Sequence, residues 1–258
     1  MHDRKKLPRR KQYGGGLFRR RIVVNTTPGR AVAELEDDFH QFGVEVLFQK
    51  DRVTRITGVS RRFPWTSCPE ASAALDGFVG SKIASSLPAI AARTEPDRQC
   101  THQLDLSCLA IAGAALGFKN RRFDATVPEM RDRRARVTLA VDGKPRLAWE
   151  LEGMTISAPD VFSGRHLGGG FAAWVESQFS PEEAIEIHVL RRATFIGFGR
   201  QYDFDAMPNP IAFAAATGSR CHSFQPEVIG RAERIVGSGH DFDDRPDDLL
   251  LEPCILDG

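Results

Sequence analysis

Residues 22–59 read as two β-hairpins in succession, and a chain that begins this way is committed to an antiparallel sheet. Ile22-Val23-Val24 and Ala31-Val32-Ala33-Glu34-Leu35 flank a turn at Asn25-Thr26-Thr27-Pro28-Gly29. Val44-Glu45-Val46-Leu47-Phe48 and Val53-Thr54-Arg55-Ile56-Thr57-Gly58-Val59 follow, joined by Gln49-Lys50-Asp51-Arg52. Val44, Val46 and Phe48 fall on one face, as a period of two requires. A third hairpin is expected at 137–151 around Asp142-Gly143, a pair that tolerates positive φ. Helices are expected at 70–79, 86–94, 103–118, 171–179, 181–193 and 225–236. The fifth carries a Ser180–Glu183 capping box with proline at its first position. Hairpins alternating with helices give an α+β class: a small antiparallel sheet with helices on one face, then a second α+β region. No internal repeat is visible.

Charge divides the chain. Residues 1–21 hold nine Lys/Arg against one acid, Asp3, and the triplet Gly14-Gly15-Gly16, so they read as a basic disordered tail. Only Tyr13 lies among them before Phe18, which leaves no stacking platform, and a nucleic-acid partner is not expected. Residues 119–135 are densely charged without periodicity and mark the expected boundary. The expected units are thus 22–120, a Cys/His-bearing α+β domain, 135–240, an α+β extension, and 241–258, an acidic tail. No apolar run reaches the ~20 residues of a membrane span, and no apolar segment follows the basic start as in a secretory signal. The expected location is cytoplasmic, without a membrane partner. Five widely spaced cysteines do not suggest a disulfide framework.

Chemistry concentrates at Cys100-Thr101-His102, just ahead of the apolar run 106–116. A helix N-terminus lowers a cysteine pKa, and thiolate is the reactive and ligating form. His40, Cys68, Cys100 and His102 stand at a strand start, a turn and a helix start, where one end of a small domain brings them together around an ion. Without metal, Cys100 with His102 reads as a nucleophile and base, Asp105 orienting the imidazole. Cys108 reads as core. Arg191, Arg192 and Arg200 suit an acidic substrate group, and the loop residues Cys221-His222 and His240 form a second cluster.

Residues 40–118 resemble the bacterial domain-of-unknown-function family 2889. The likeness rests on His40 before a hairpin, Cys68-Pro69 after it, Phe78-Val79-Gly80-Ser81-Lys82-Ile83, and Cys100-Thr101-His102 opening a helix. In the second half, Leu190-Arg191-Arg192-Ala193 and Cys221-His222-Ser223-Phe224-Gln225-Pro226 resemble the extension of that family's longer members. More distantly, the order is similar to the iron–sulfur scaffold of the NifU N-terminal type, with His40, Cys68 and Cys100 standing where that scaffold has its three cysteines. The resemblance implies a metal set of His40, Cys68, Cys100 and His102. Such a set suits zinc or iron better than an iron–sulfur cluster.

The function expected from these features is a metal-dependent enzyme, a lyase, isomerase or hydrolase, acting on a small organic, catabolic substrate. Arg191, Arg192, Arg200 and His222 are its expected substrate contacts. The alternatives are a non-catalytic metal or iron–sulfur protein and a cofactor-free lyase or isomerase with His102 as base.

Overall fold

A computed structural model describes residues 7–218 and 220–255. Eight strands form one antiparallel sheet: β1 (Leu17–Thr27), β2 (Arg30–Asp37), β3 (Gln41–Gln49), β4 (Arg52–Arg62), β5 (Arg121–Pro128), β6 (Arg134–Val141), β7 (Lys144–Glu152) and β8 (Thr155–Ala158). Their spatial order is β4-β3-β2-β1-β5-β6-β7-β8. The three expected hairpins form. Asp142 and Gly143 turn the third with φ of 52° and 77°, the left-handed pair that a two-residue hairpin loop needs.

The order is a palindrome of two four-stranded halves, joined where β1 and β5 pair from Leu17↔Pro128 to Val24↔Arg121. The sheet is therefore not small, and the charged stretch 119–135 is not a boundary. Its charges alternate along β5, while Phe123, Ala125 and Val127 point inward and are buried. Charge density marked one face of a strand as if it were a linker.

Among the described residues the α-helices are α1 (Leu87–Ala91), α2 (Thr101–Leu116), α3 (Phe171–Gln178), α4 (Pro181–Gly197) and α5 (Ile211–Thr217). Helix α2 lies on β1–β3 and α4 on β5–β7. Both sit on the same sheet face, because the inward row of β1 (Phe18, Arg20, Ile22, Val24) meets each in turn. A Cβ on Gly113 of α2 would lie 2.6 Å from Val24, and one on Gly197 of α4 would lie 2.9 Å from Phe18. Glycine lets each helix rest directly on the central strand. The capping box at Ser180 and Glu183 is formed as expected.

Other expectations shift. Residues 68–78 make a 3-10 stretch rather than an α-helix. Residues 225–236 form turns with one bridge, and the unforeseen α5 precedes them. Of the tail, residues 1–6 lie outside the described residues, and 17–21 belong to β1. The amides of Gly14, Gly15 and Gly16 converge on Glu129 Oε2 at 2.6, 3.2 and 3.1 Å, so the triplet is a nest for a carboxylate. Residues 241–255 pack on the outer face of β1–β3. There the amides of Leu250 and Ile255 donate to Glu36 and Glu34 at 2.8 and 2.9 Å, and Phe242 and Leu249 are buried. Residues 256–258 of the acidic tail lie outside the described residues. No helix among the described residues is long and apolar enough to cross a membrane.

Candidate active site

At the end of the sheet where β2 turns into β3, a cavity of about 380 Å³ opens beneath the first turn of α2 and the last turns of α4. The β2–β3 turn is built around Asp37. Its Oδ1 accepts from the amides of Phe39 and His40 at 2.8 and 2.9 Å, which folds residues 37–40 tightly. The same oxygen takes the His40 Nδ1 proton at 3.0 Å, and Oδ2 accepts from Arg20 Nε at 2.9 Å. Arg20 stands directly across from Asp37 in the β1–β2 register, and both are fully buried. Burial alone would raise the Asp37 pKa. The Arg20 guanidinium and the His40 contact overcome it and hold the carboxyl far below the usual carboxylate range.

His40 lies against His102 of α2, ring centroids 3.7 Å apart and planes 29° from parallel, and Phe42 stacks on His102 at 5.7 Å. Each imidazole is 8% exposed and lines the cavity. Burial pushes both pKa values down, that of His102 well below its ordinary value, with the neighbouring His40 and Arg20 adding to the effect. Both rings are therefore neutral at neutral pH. The Asp37 bond fixes a proton on His40 Nδ1 and leaves Nε2 as its basic nitrogen. His102 Nε2 is buried without a hydrogen-bond partner.

Among the described residues, one group of ligand-capable atoms lies within 4.8 Å: Asp37, His40 and His102. The set expected from sequence is thus reduced to its two histidines plus an aspartate not foreseen. Cys68 and Cys100 line the same cavity but do not join that group. Cys100 is the N-cap of α2, yet burial dominates there. It drives the thiol pKa far up, and Cys68 and Cys221 nearby raise it further. Burial likewise raises Cys68, whose Sγ lies 3.6 Å from Ser223 Oγ, and lifts Cys221 to about 12. The expected activation of Cys100 by the helix terminus is overridden, and these thiols are protonated at neutral pH. Cys108 is core, as expected.

Asp105 does not orient His102. It faces a smaller cavity of about 220 Å³ between α1, α2 and α4, and Arg192 Nε pairs with it at 2.7 Å. Arg200 does not line the cavity: it is buried between Asp38 and Glu129, which hold its charge. Arg191, Arg192 and His222 do reach the main cavity. His240 lies elsewhere, its amide bonded to the Asp38 carbonyl at 2.7 Å. Sequence reasoning missed Arg20 and Asp37. The signal was present in an arginine on the inward row of β1 and in the acidic run 36–38 just before His40. No protein-family model matches the chain, and comparison with curated proteins returns no relative.

Proposed function

We propose that this cavity houses general acid–base catalysis on a small organic molecule, of the lyase or isomerase type, run by His40 and His102. The carrying observation is the Asp37–His40 hydrogen bond of 3.0 Å, with Asp37 itself anchored by Arg20. Asp37 orients the imidazole, keeps Nε2 available as base, and stabilises the imidazolium when His40 takes a proton. His40, once protonated, is the acid that returns the proton at the end of the cycle, while His102, neutral and stacked on it with its Nε2 unpartnered, offers a hydrogen bond to the reacting group. The base is thus His40 rather than the His102 expected from sequence. Residues 40–118 resemble family 2889 in His40, Cys68-Pro69 and Cys100-Thr101-His102, and the proposal gives two of these positions roles.

A second reading, a zinc or iron site on Asp37, His40 and His102, draws support from their mutual approach within 4.8 Å. Two features weigh against it. Both oxygens of Asp37 already accept hydrogen bonds, one of them from the cationic Arg20. The imidazoles are stacked, whereas an ion shared by two rings lies near the plane of each, ~2.0–2.1 Å from nitrogen.

Nitrogen-resolved NMR of the histidine side chains, with elemental analysis of the purified protein, tests both. A neutral His40 carrying its proton on Nδ1 at pH 7, without stoichiometric metal, supports acid–base chemistry. One equivalent of zinc or iron that His40→Ala and His102→Ala both abolish establishes the metal reading instead.

A further inference from the structure

The cavity wall has an unusual balance of charge. Four arginines line it (Arg191, Arg192, Arg220 and Arg234), and among its described residues there is no Asp or Glu. Three of these cations are neutralised from outside the cavity: Arg192 by Asp105 at 2.7 Å, Arg220 by Asp97 at 2.8 Å and Arg234 by Asp205 at 2.8 Å. Arg191 differs. Its Nε donates to the Leu167 carbonyl at 2.6 Å, and its guanidinium lies 5.0 Å over the Phe195 ring. No described carboxylate pairs with it. The remaining N–H groups of a guanidinium form a fork matched to a carboxylate.

Aromatic side chains make up much of the rest of the lining, among them Phe39, Phe42, Trp65, Phe195, Phe204 and Phe213. Phe204 already meets Phe39 edge-on at 5.4 Å and Phe213 tilted at 5.2 Å, the packing that receives one more flat ring well. The volume falls in the range of small-molecule sites. We infer that the cavity binds a small aromatic carboxylate, its ring among these side chains and its carboxylate on Arg191, beside His40 and His102. The inference rests on the acid–base reading for the location of the reacting end, but the binding contacts are independent of it.

The test is calorimetric titration of the full chain with cinnamate, with neutral isosteric cinnamamide and with hexanoate. Cinnamate is expected to bind saturably and both comparison compounds about tenfold or more weakly. Arg191→Gln should weaken cinnamate by about tenfold or more and leave cinnamamide unchanged, which also reports that the variant is folded. Arg191→Lys should fall between. His40→Asn, which removes the proposed base, should keep cinnamate binding, so a failure of the catalytic reading is seen separately from a failure of this one. The inference is overturned if cinnamate does not bind, if cinnamamide or hexanoate matches it, or if Arg191→Gln binds cinnamate as the parent does.

Discussion

His40 and His102 meet face to face, ring centroids 3.7 Å apart, although one ends the turn before a strand and the other sits in the first turn of a helix. Both rings are neutral, and a proton placed on one is repelled by any proton on the other. The pair therefore takes protons one at a time, His40 first, because Asp37 stabilises its charged form. Histidine NMR over a pH series should show two well-separated steps, both below about 6.5. Asp37→Asn should lower the first.

The same burial makes stability depend on pH. A histidine whose folded pKa lies below its unfolded value of about 6.5 binds its proton more readily when unfolded. Stability is then full above that value and declines as pH falls through the folded values. Denaturant midpoints measured from pH 8 to pH 5 should decrease below about 6.5. His102→Gln should flatten the decline. Asp38, whose carboxyl burial raises to about 7, titrates in the same range with the opposite sign, so the deciding comparison is with the variant: a pH curve that His102→Gln leaves unchanged contradicts a neutral, buried imidazole.

Arg20→Met should strand a buried carboxylate. Asp37 would lose the partner that overcomes its burial, and removing one member of a buried ion pair costs about 3–5 kcal/mol. In a domain of this size a loss of 1 kcal/mol lowers the melting temperature by about 2–4 °C. The double variant Arg20→Met/Asp37→Leu should recover part of that loss, since no isolated charge remains.

Gly113→Ala should destabilise although alanine favours helix. The added Cβ would approach Val24 to 2.6 Å, forcing α2 off the sheet at a cost of about 1–3 kcal/mol. Thermal melting of Gly113→Ala beside Gly113→Ala/Val24→Ala separates the clash from any helix effect, because the second change opens the space.

The thiols offer an independent check. Burial keeps Cys68, Cys100 and Cys108 protonated, so a thiol reagent at pH 7 should label the native chain slowly, beginning with Cys221, the one cysteine that is only half-buried. All five should react at once after denaturation. Fast native labelling of Cys100 would restore the nucleophile expected from its helix-terminal place.

The three hairpins were legible because period-two alternation and turn residues are local signals, and the capped start of α4 was legible for the same reason. Strand β5 was not: its pairing with β1 is a long-range fact, and its outward Arg122 and Asp124 obscured the inward Phe123, Ala125 and Val127. At the site, His40 and His102 could be read as candidates because imidazoles near element ends are rare. Asp37 lies inside the acidic run 36–38, where nothing local sets it apart from its neighbours. Arg20 was counted with a basic tail, when its strand turned it inward toward the one carboxylate directly opposite. Cys68 and Cys100 share the cavity, but their protonation depends on depth of burial, which no local pattern encodes.

The seam between β1 and β5 joins strands separated by the whole first half of the fold. Hairpins close cheaply and early, whereas this pairing carries the larger entropy of a long loop and must wait for β5 to be made. Until then β1 presents a bare edge of unpaired amides and carbonyls, the kind of edge that recruits strands from other chains. A nascent chain ending before Arg121 is thus in its most aggregation-prone state. The outward-facing Arg19 and Arg21 on that edge place positive charge where a second copy would otherwise add its strand.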